Sequence, residues 1–79
     1  MTVRAFVLIE TDLGNAGSVA REIRSIPGVV AADDVTGPYD VIAQAEAESV
    51  DDLGRMVIGR LQLVNGIRKT LTCPILVLE

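Results

Sequence analysis

The sequence contains no histidine and no tryptophan, a single cysteine, Cys73, and only two aromatic residues, Phe6 and Tyr39. Each absence removes a class of function. One thiol cannot close an intramolecular disulfide, and without histidine a zinc staple has too few ligands. A metallochaperone would need paired thiolates in its first loop, where Thr11-Asp12-Leu13-Gly14 offers none. An RNA-binding sheet needs stacking aromatics on its central strands and a basic surface. Here Lys and Arg number 7 against 11 Asp and Glu, a net charge of −4, opposite in sign to what a phosphate backbone attracts. Direct nucleic-acid binding is therefore not expected. Catalysis would call for a histidine, a reactive cysteine or a convergent acid/base pair, and these residues assemble none; the expectation is a non-enzyme without a cofactor. Cys73, beside Pro74 in an apolar stretch, reads as a packing residue rather than a nucleophile. Met1-Thr2-Val3-Arg4 leads into a short apolar run that meets Glu10 and Asp12, too short for a membrane span and unlike a signal peptide. A cytoplasmic protein is expected.

With 79 residues the chain is one domain, of a size that buries only about 60% of the surface its unfolded form exposes. Such a core is marginal alone. Hydrophobic residues make up 49% of the chain, more than a small monomer with two helices over one side of a sheet can cover. Self-association is the remaining way to complete the core.

Val3 to Glu10 is free of Gly and Pro and rich in β-formers, so it reads as a strand whose two faces are both at least partly buried. From Asn15 the spacing becomes helical, with Ala16, Val19, Ala20, Ile23 and Ile26 on one stripe, until Pro27-Gly28 stops it. A second strand spans Val29 to Thr36. Its adjacent Asp33 and Asp34 alternate to opposite faces, as suits a charged edge strand or a polar opening. A third strand from Val41 alternates Val41, Ala43, Ala45 and Ala47 with Ile42, Gln44, Glu46 and Glu48. Ser49 is the N-cap of a second helix, with Asp51 and Asp52 at its positive end and Val50, Leu53, Val57, Leu61 and Val64 as core stripe. Met56 and Ile58 widen its apolar surface, Met56 either filling a gap in the core or facing another subunit. Asn65-Gly66 ends the helix, and a last strand runs from Ile67 to Glu79, with Pro74 confining it to an edge or a bulge.

Between the second and third strands lies Val35-Thr36-Gly37-Pro38-Tyr39-Asp40, with a glycine free to take positive φ, a proline that fixes φ and an aspartate that can accept backbone amides. Tyr39 falls at the rim of the sheet, where it either lids the core or serves a ligand. The chain on either side of this loop is a doubled unit, since the same offset relates Val3 to Val41 and Pro27-Gly28-Val29 to Asn65-Gly66-Ile67. Two right-handed strand-helix-strand crossovers give an α+β, ferredoxin-like βαββαβ fold, a four-stranded antiparallel sheet with both helices on one face. The other face then exposes Phe6, Leu8 and Ile42, an apolar patch that a second sheet would cover.

The element order, the Val35-Thr36-Gly37-Pro38-Tyr39-Asp40 loop and the closing Gly66-Ile67-Arg68-Lys69-Thr70-Leu71-Thr72 strand resemble the ligand-binding (RAM) domain of the Lrp/AsnC transcriptional regulators. The resemblance covers nearly the whole chain. It implies a dimeric α+β barrel closed sheet to sheet through Phe6 and Leu8, dimers assembled into an octamer or other ring, and an amino acid or related effector bound between dimers. Gly37, Pro38, Tyr39 and Asp40 carry over as loop residues of that pocket, and Thr70 and Thr72 as hydroxyl donors from a neighbouring subunit. Pro38 departs from the polar residues of the family pattern. Because the chain starts with the first strand, the resemblance implies a stand-alone form without the helix-turn-helix, acting through full-length Lrp/AsnC regulators. The alternatives are a structural oligomerisation domain whose loop binds nothing and, less favoured, a small dimeric α+β barrel enzyme.

Overall fold

The computed structural model describes residues 2–76, apart from the side chain of Met56. Four strands, β1 (Val3–Thr11), β2 (Val29–Asp34), β3 (Val41–Ala47) and β4 (Ile67–Pro74), form one antiparallel sheet in the order β2-β3-β1-β4. Helix α1 (Ala16–Arg24) connects β1 to β2, and α2 (residues 50–61) connects β3 to β4. The architecture is the expected ferredoxin-like βαββαβ.

Alternation along the strands assigns the two faces. Ala5, Val7 and Ile9 of β1 and Val41, Ala43 and Ala45 of β3 are at most 1% exposed and pack under Val19, Ala20 and Ile23 of α1 and Leu53, Val57 and Leu61 of α2. The small alanines of β3 let the helices approach. On the opposite face Leu8 stands between Ile42 and Leu71, and Phe6 between Gln44 and Cys73. No described helix covers that side, and Phe6 and Leu71 remain 41% and 47% exposed.

Both helix exits turn through a glycine of positive φ. Gly28 has φ +100°, and a Cβ there would sit 2.8 Å from Val57 Cγ2 and 3.0 Å from the Glu46 carbonyl. Only the missing side chain lets α2 and β3 come so close; Gly66, at φ +96°, meets Val19 and Asn15 in the same way.

Several expectations need correction. β2 ends at Asp34 rather than Thr36, because the chain there leaves the pairing with β3 and enters the loop. Both Asp33 and Asp34 are exposed on the edge strand β2, which is the charged-edge arrangement. Val50 is 69% exposed rather than part of the core stripe, because it opens the first turn of α2, ahead of Leu53, where the helix meets the sheet. β4 ends at Pro74, opposite Ala5, where the position of the missing N–H faces the open edge of the sheet; the Ile75 N–H still donates to the Arg4 carbonyl at 2.8 Å, and the predicted continuation through Val77, Leu78 and Glu79 lies outside the described residues. The role of Met56 lies outside them too, while Ile58 packs against the core. The Ser49 cap is present: its Oγ accepts the Asp52 N–H at 3.1 Å. Unforeseen was a π-helical turn, Leu53–Ile58, flanked by short α-helical ends.

Candidate ligand-binding site

The loop between β2 and β3 is fastened at three points. The Val35 N–H donates to the Asp40 carbonyl at 2.9 Å, closing the loop on itself, and the Asp40 N–H donates to the Ile9 carbonyl at 2.9 Å. Asp40 Oδ2 accepts the Thr11 N–H at 2.9 Å, across a sequence separation of 29 residues. These bonds hold the loop against the end of β1, where the β1–β4 pairing shifts between Glu10 and Thr11. Thr11, at 7% exposure, is buried there.

Gly37 and Pro38 are exposed, whereas Tyr39 and Asp40 are half-buried. Gly37 takes φ +150°, a conformation that side chains rarely adopt. Among the described residues the N–H groups of Gly37 and Tyr39 donate to no protein acceptor, and Pro38 between them has no N–H. The Thr36 N–H likewise donates to no described protein acceptor, so the loop presents three free amides and a carboxylate with one oxygen engaged. Free amides suit a small anionic group, and the remaining carboxylate oxygen suits a cation.

Thr70 and Thr72 lie opposite Ile9 and Val7, so their side chains are on the helix side of the edge strand β4 and are half-buried. Thr70 is at the same end of the sheet as the loop, and Thr72 is two residues further from it. β1 intervenes between β3 and β4, and at about 4.8 Å per strand spacing the threonines are about 10 Å from the line of β3. One chain thus gathers Gly37, Pro38, Tyr39 and Asp40 in a single loop but does not bring the threonines to it.

Three participants escaped sequence reasoning. Thr11 matters through its backbone N–H, which no pattern of side chains signals. Leu71 and Cys73 extend the uncovered patch next to Leu8 and Phe6, and only the β1–β4 register reveals them as neighbours. No described group of three or more Cys, Asp or Glu side chains is arranged to hold a metal ion. No described helix is long and apolar enough to cross a membrane.

The family model described as Lrp/AsnC ligand binding domain matches residues 4–77. Over 71 residues the chain is 34% identical to an uncharacterized HTH-type transcriptional regulator, PH1916, of Pyrococcus horikoshii, covering 86% of this chain and 47% of the relative. It therefore spans about half the length of that relative. Among solved structures, TTHA0845 from Thermus thermophilus superposes with a TM-score of 0.88 at 27% identity, covering 98% of this chain and 96% of that one. E. coli AsnC superposes with a TM-score of 0.85 at 25% identity, covering 94% of this chain and 50% of that one. The sheet order, the fastened loop and a match over residues 4–77 agree: the chain belongs to the Lrp/AsnC ligand-binding domain family.

Proposed function

We propose that this chain is a non-enzymatic effector-binding and oligomerisation module of transcriptional regulation, and that its effector is an amino acid. The match to the Lrp/AsnC ligand binding domain carries this reading, and it spans the loop and β4 alike. The loop chemistry supports it. The Gly37 and Tyr39 amides would receive the effector's carboxylate, and the free oxygen of Asp40 its ammonium, with Tyr39 closing over the side chain. Because Thr70 and Thr72 stand a strand away from the loop of their own chain, their hydroxyls would reach an effector held by another copy.

The uncovered face is the surface for dimerisation in this reading. Phe6, Leu8, Ile42 and Leu71 would meet the same residues of a second copy, closing the dimeric α+β barrel, and dimers would assemble into an octamer or other ring. Acidic overall, the module would act on transcription through protein partners, full-length Lrp/AsnC regulators among them, rather than by touching DNA.

One observation favours a second reading, in which the loop binds nothing and the module only oligomerises. Asp40 already has a structural task in holding the Thr11 N–H. A thermal-shift screen against the amino acids decides between them. An effector at 100 times its Kd adds about 2.7 kcal/mol to the folded state. No shift with any amino acid would leave only the oligomerisation reading.

A further inference from the structure

The sheet has two edges, β2 on one side and β4 on the other, and they are finished differently. In an antiparallel pair, residues alternate between turning both backbone groups toward the neighbouring strand and turning both away from it. The Val35 N–H donates to the Asp40 carbonyl, and in the same register Asp33, opposite Ile42, turns toward β3. Ala32 and Asp34 therefore turn their backbone groups out to the edge. On the far side the Ile75 N–H donates to the Arg4 carbonyl, so Cys73, Leu71 and Lys69 turn toward β1, and Thr70, Thr72 and Pro74 turn out.

The side chain of Ala32 is buried in the core, but its outward carbonyl is already taken. Arg24 Nε, from the last turn of α1, donates to it at 2.8 Å. α1 accompanies this edge along its length, since a Cβ on Gly17 near its start would be 3.6 Å from Asp34 Oδ2. A strand adding to β2 needs the Ala32 carbonyl as an acceptor, so it must first displace a charge-assisted bond. β4 carries no such cover. Among the described residues no side chain bonds to the backbone of Thr70 or Thr72.

We propose that Arg24 is an edge seal, which keeps β2 from accepting β4 of another copy of this chain. β4 is the strand this edge would otherwise take, because exposed Arg68 and Lys69 of β4 complement exposed Asp33 and Asp34 of β2, and the outward groups of Thr70 and Thr72 are free. Such a contact uses a different edge on each partner, and where the rotation between copies does not close it grows without limit. The sheet-to-sheet contact of the dimer proposed above uses the face, which the seal leaves untouched.

The test is a titration of ¹⁵N-labelled full chain with a peptide of residues 67–76, the sequence of β4, under reducing conditions. Arg24→Met keeps the apolar stem and removes the donors. It should bind the peptide at least tenfold more tightly than the parent, with saturable shifts and slowed hydrogen exchange at the outward Ala32 and Asp34 amides. Without peptide, light scattering of the same variant should show a mass that rises with concentration beyond that of the parent. Arg24→Gln, which puts an amide N–H at the place of Nε, and Arg21→Met, on the same helix, should both behave as the parent. Should Arg24→Met not fold, Arg24→Ala is read in the same way. A variant that melts earlier but neither binds the peptide nor grows would make Arg24 a tether of α1 and overturn the seal, as would equally tight peptide binding at Ala32 and Asp34 in the parent. A monomer mass for the parent would end the dimer reading and leave the seal to the peptide titration.

Discussion

The two faces of the sheet are built from alternate residues of the same strands, yet they are in opposite states. Val7 and Ile9 are fully buried under the helices, while Leu8 between them is covered only by its neighbours Ile42 and Leu71. One face is finished within the chain and the other is not. The difference teaches that the period of two along a strand decides which residues the chain buries by itself and which it leaves for the proposed dimer, so a single-residue change of position would move a substitution from folding to assembly.

Val7→Asp is the most severe way to break this comparison. It places an unpaired carboxylate in the finished face, and a loss of more than about 4 kcal/mol is expected, enough to abolish the cooperative urea transition. Leu8→Glu, one residue away, should leave that transition in place and instead separate the proposed dimer. A charge left unpaired in a dimer interface costs about 3 to 5 kcal/mol, so light scattering should return the monomer mass at micromolar concentration. If Leu8→Glu unfolded the chain as Val7→Asp does, the two faces would not differ in the way described.

Asp40 Oδ2 holds the Thr11 N–H, and in the proposed function its other oxygen would take the effector's ammonium. Asp40→Asn retains an acceptor for the Thr11 N–H and should keep both fold and oligomer. It should weaken an amino-acid effector by about 1.5 to 3 kcal/mol, the range for a hydrogen bond to a charged group. Equal affinities of parent and variant in calorimetry would confine the carboxylate to holding the loop. Thr72→Val should have the smallest effect on stability, within about 0.5 kcal/mol, because a β-branched side chain of the same shape remains on a half-buried edge strand. A weaker effector affinity in that variant, with an unchanged melting temperature, would place the hydroxyl in a site shared between copies.

Much of this molecule follows from local chemistry. The order of elements, the Ser49 cap, the glycine turns at Gly28 and Gly66 and the loop around Gly37-Pro38 each depend on a few adjacent residues whose conformational preferences agree. The apolar stripe of α1 and the alternation of β1 likewise repeat within the chain itself, so the fold class and the uncovered face of Phe6 and Leu8 were legible before any coordinates. Val50 was misassigned because helical spacing gives the stripe but not the residue at which it first meets the sheet. The rest depended on contacts between distant segments. Pairing register put Thr70 and Thr72 under the helix side and Leu71 and Cys73 on the open face. A bond spanning 29 residues gave Asp40 its structural task, and one from α1 put Arg24 on the outward carbonyl of Ala32. Alternation tells which residues share a face along one strand. The phase between strands, and what a loop closes upon, is decided only when the whole sheet is assembled.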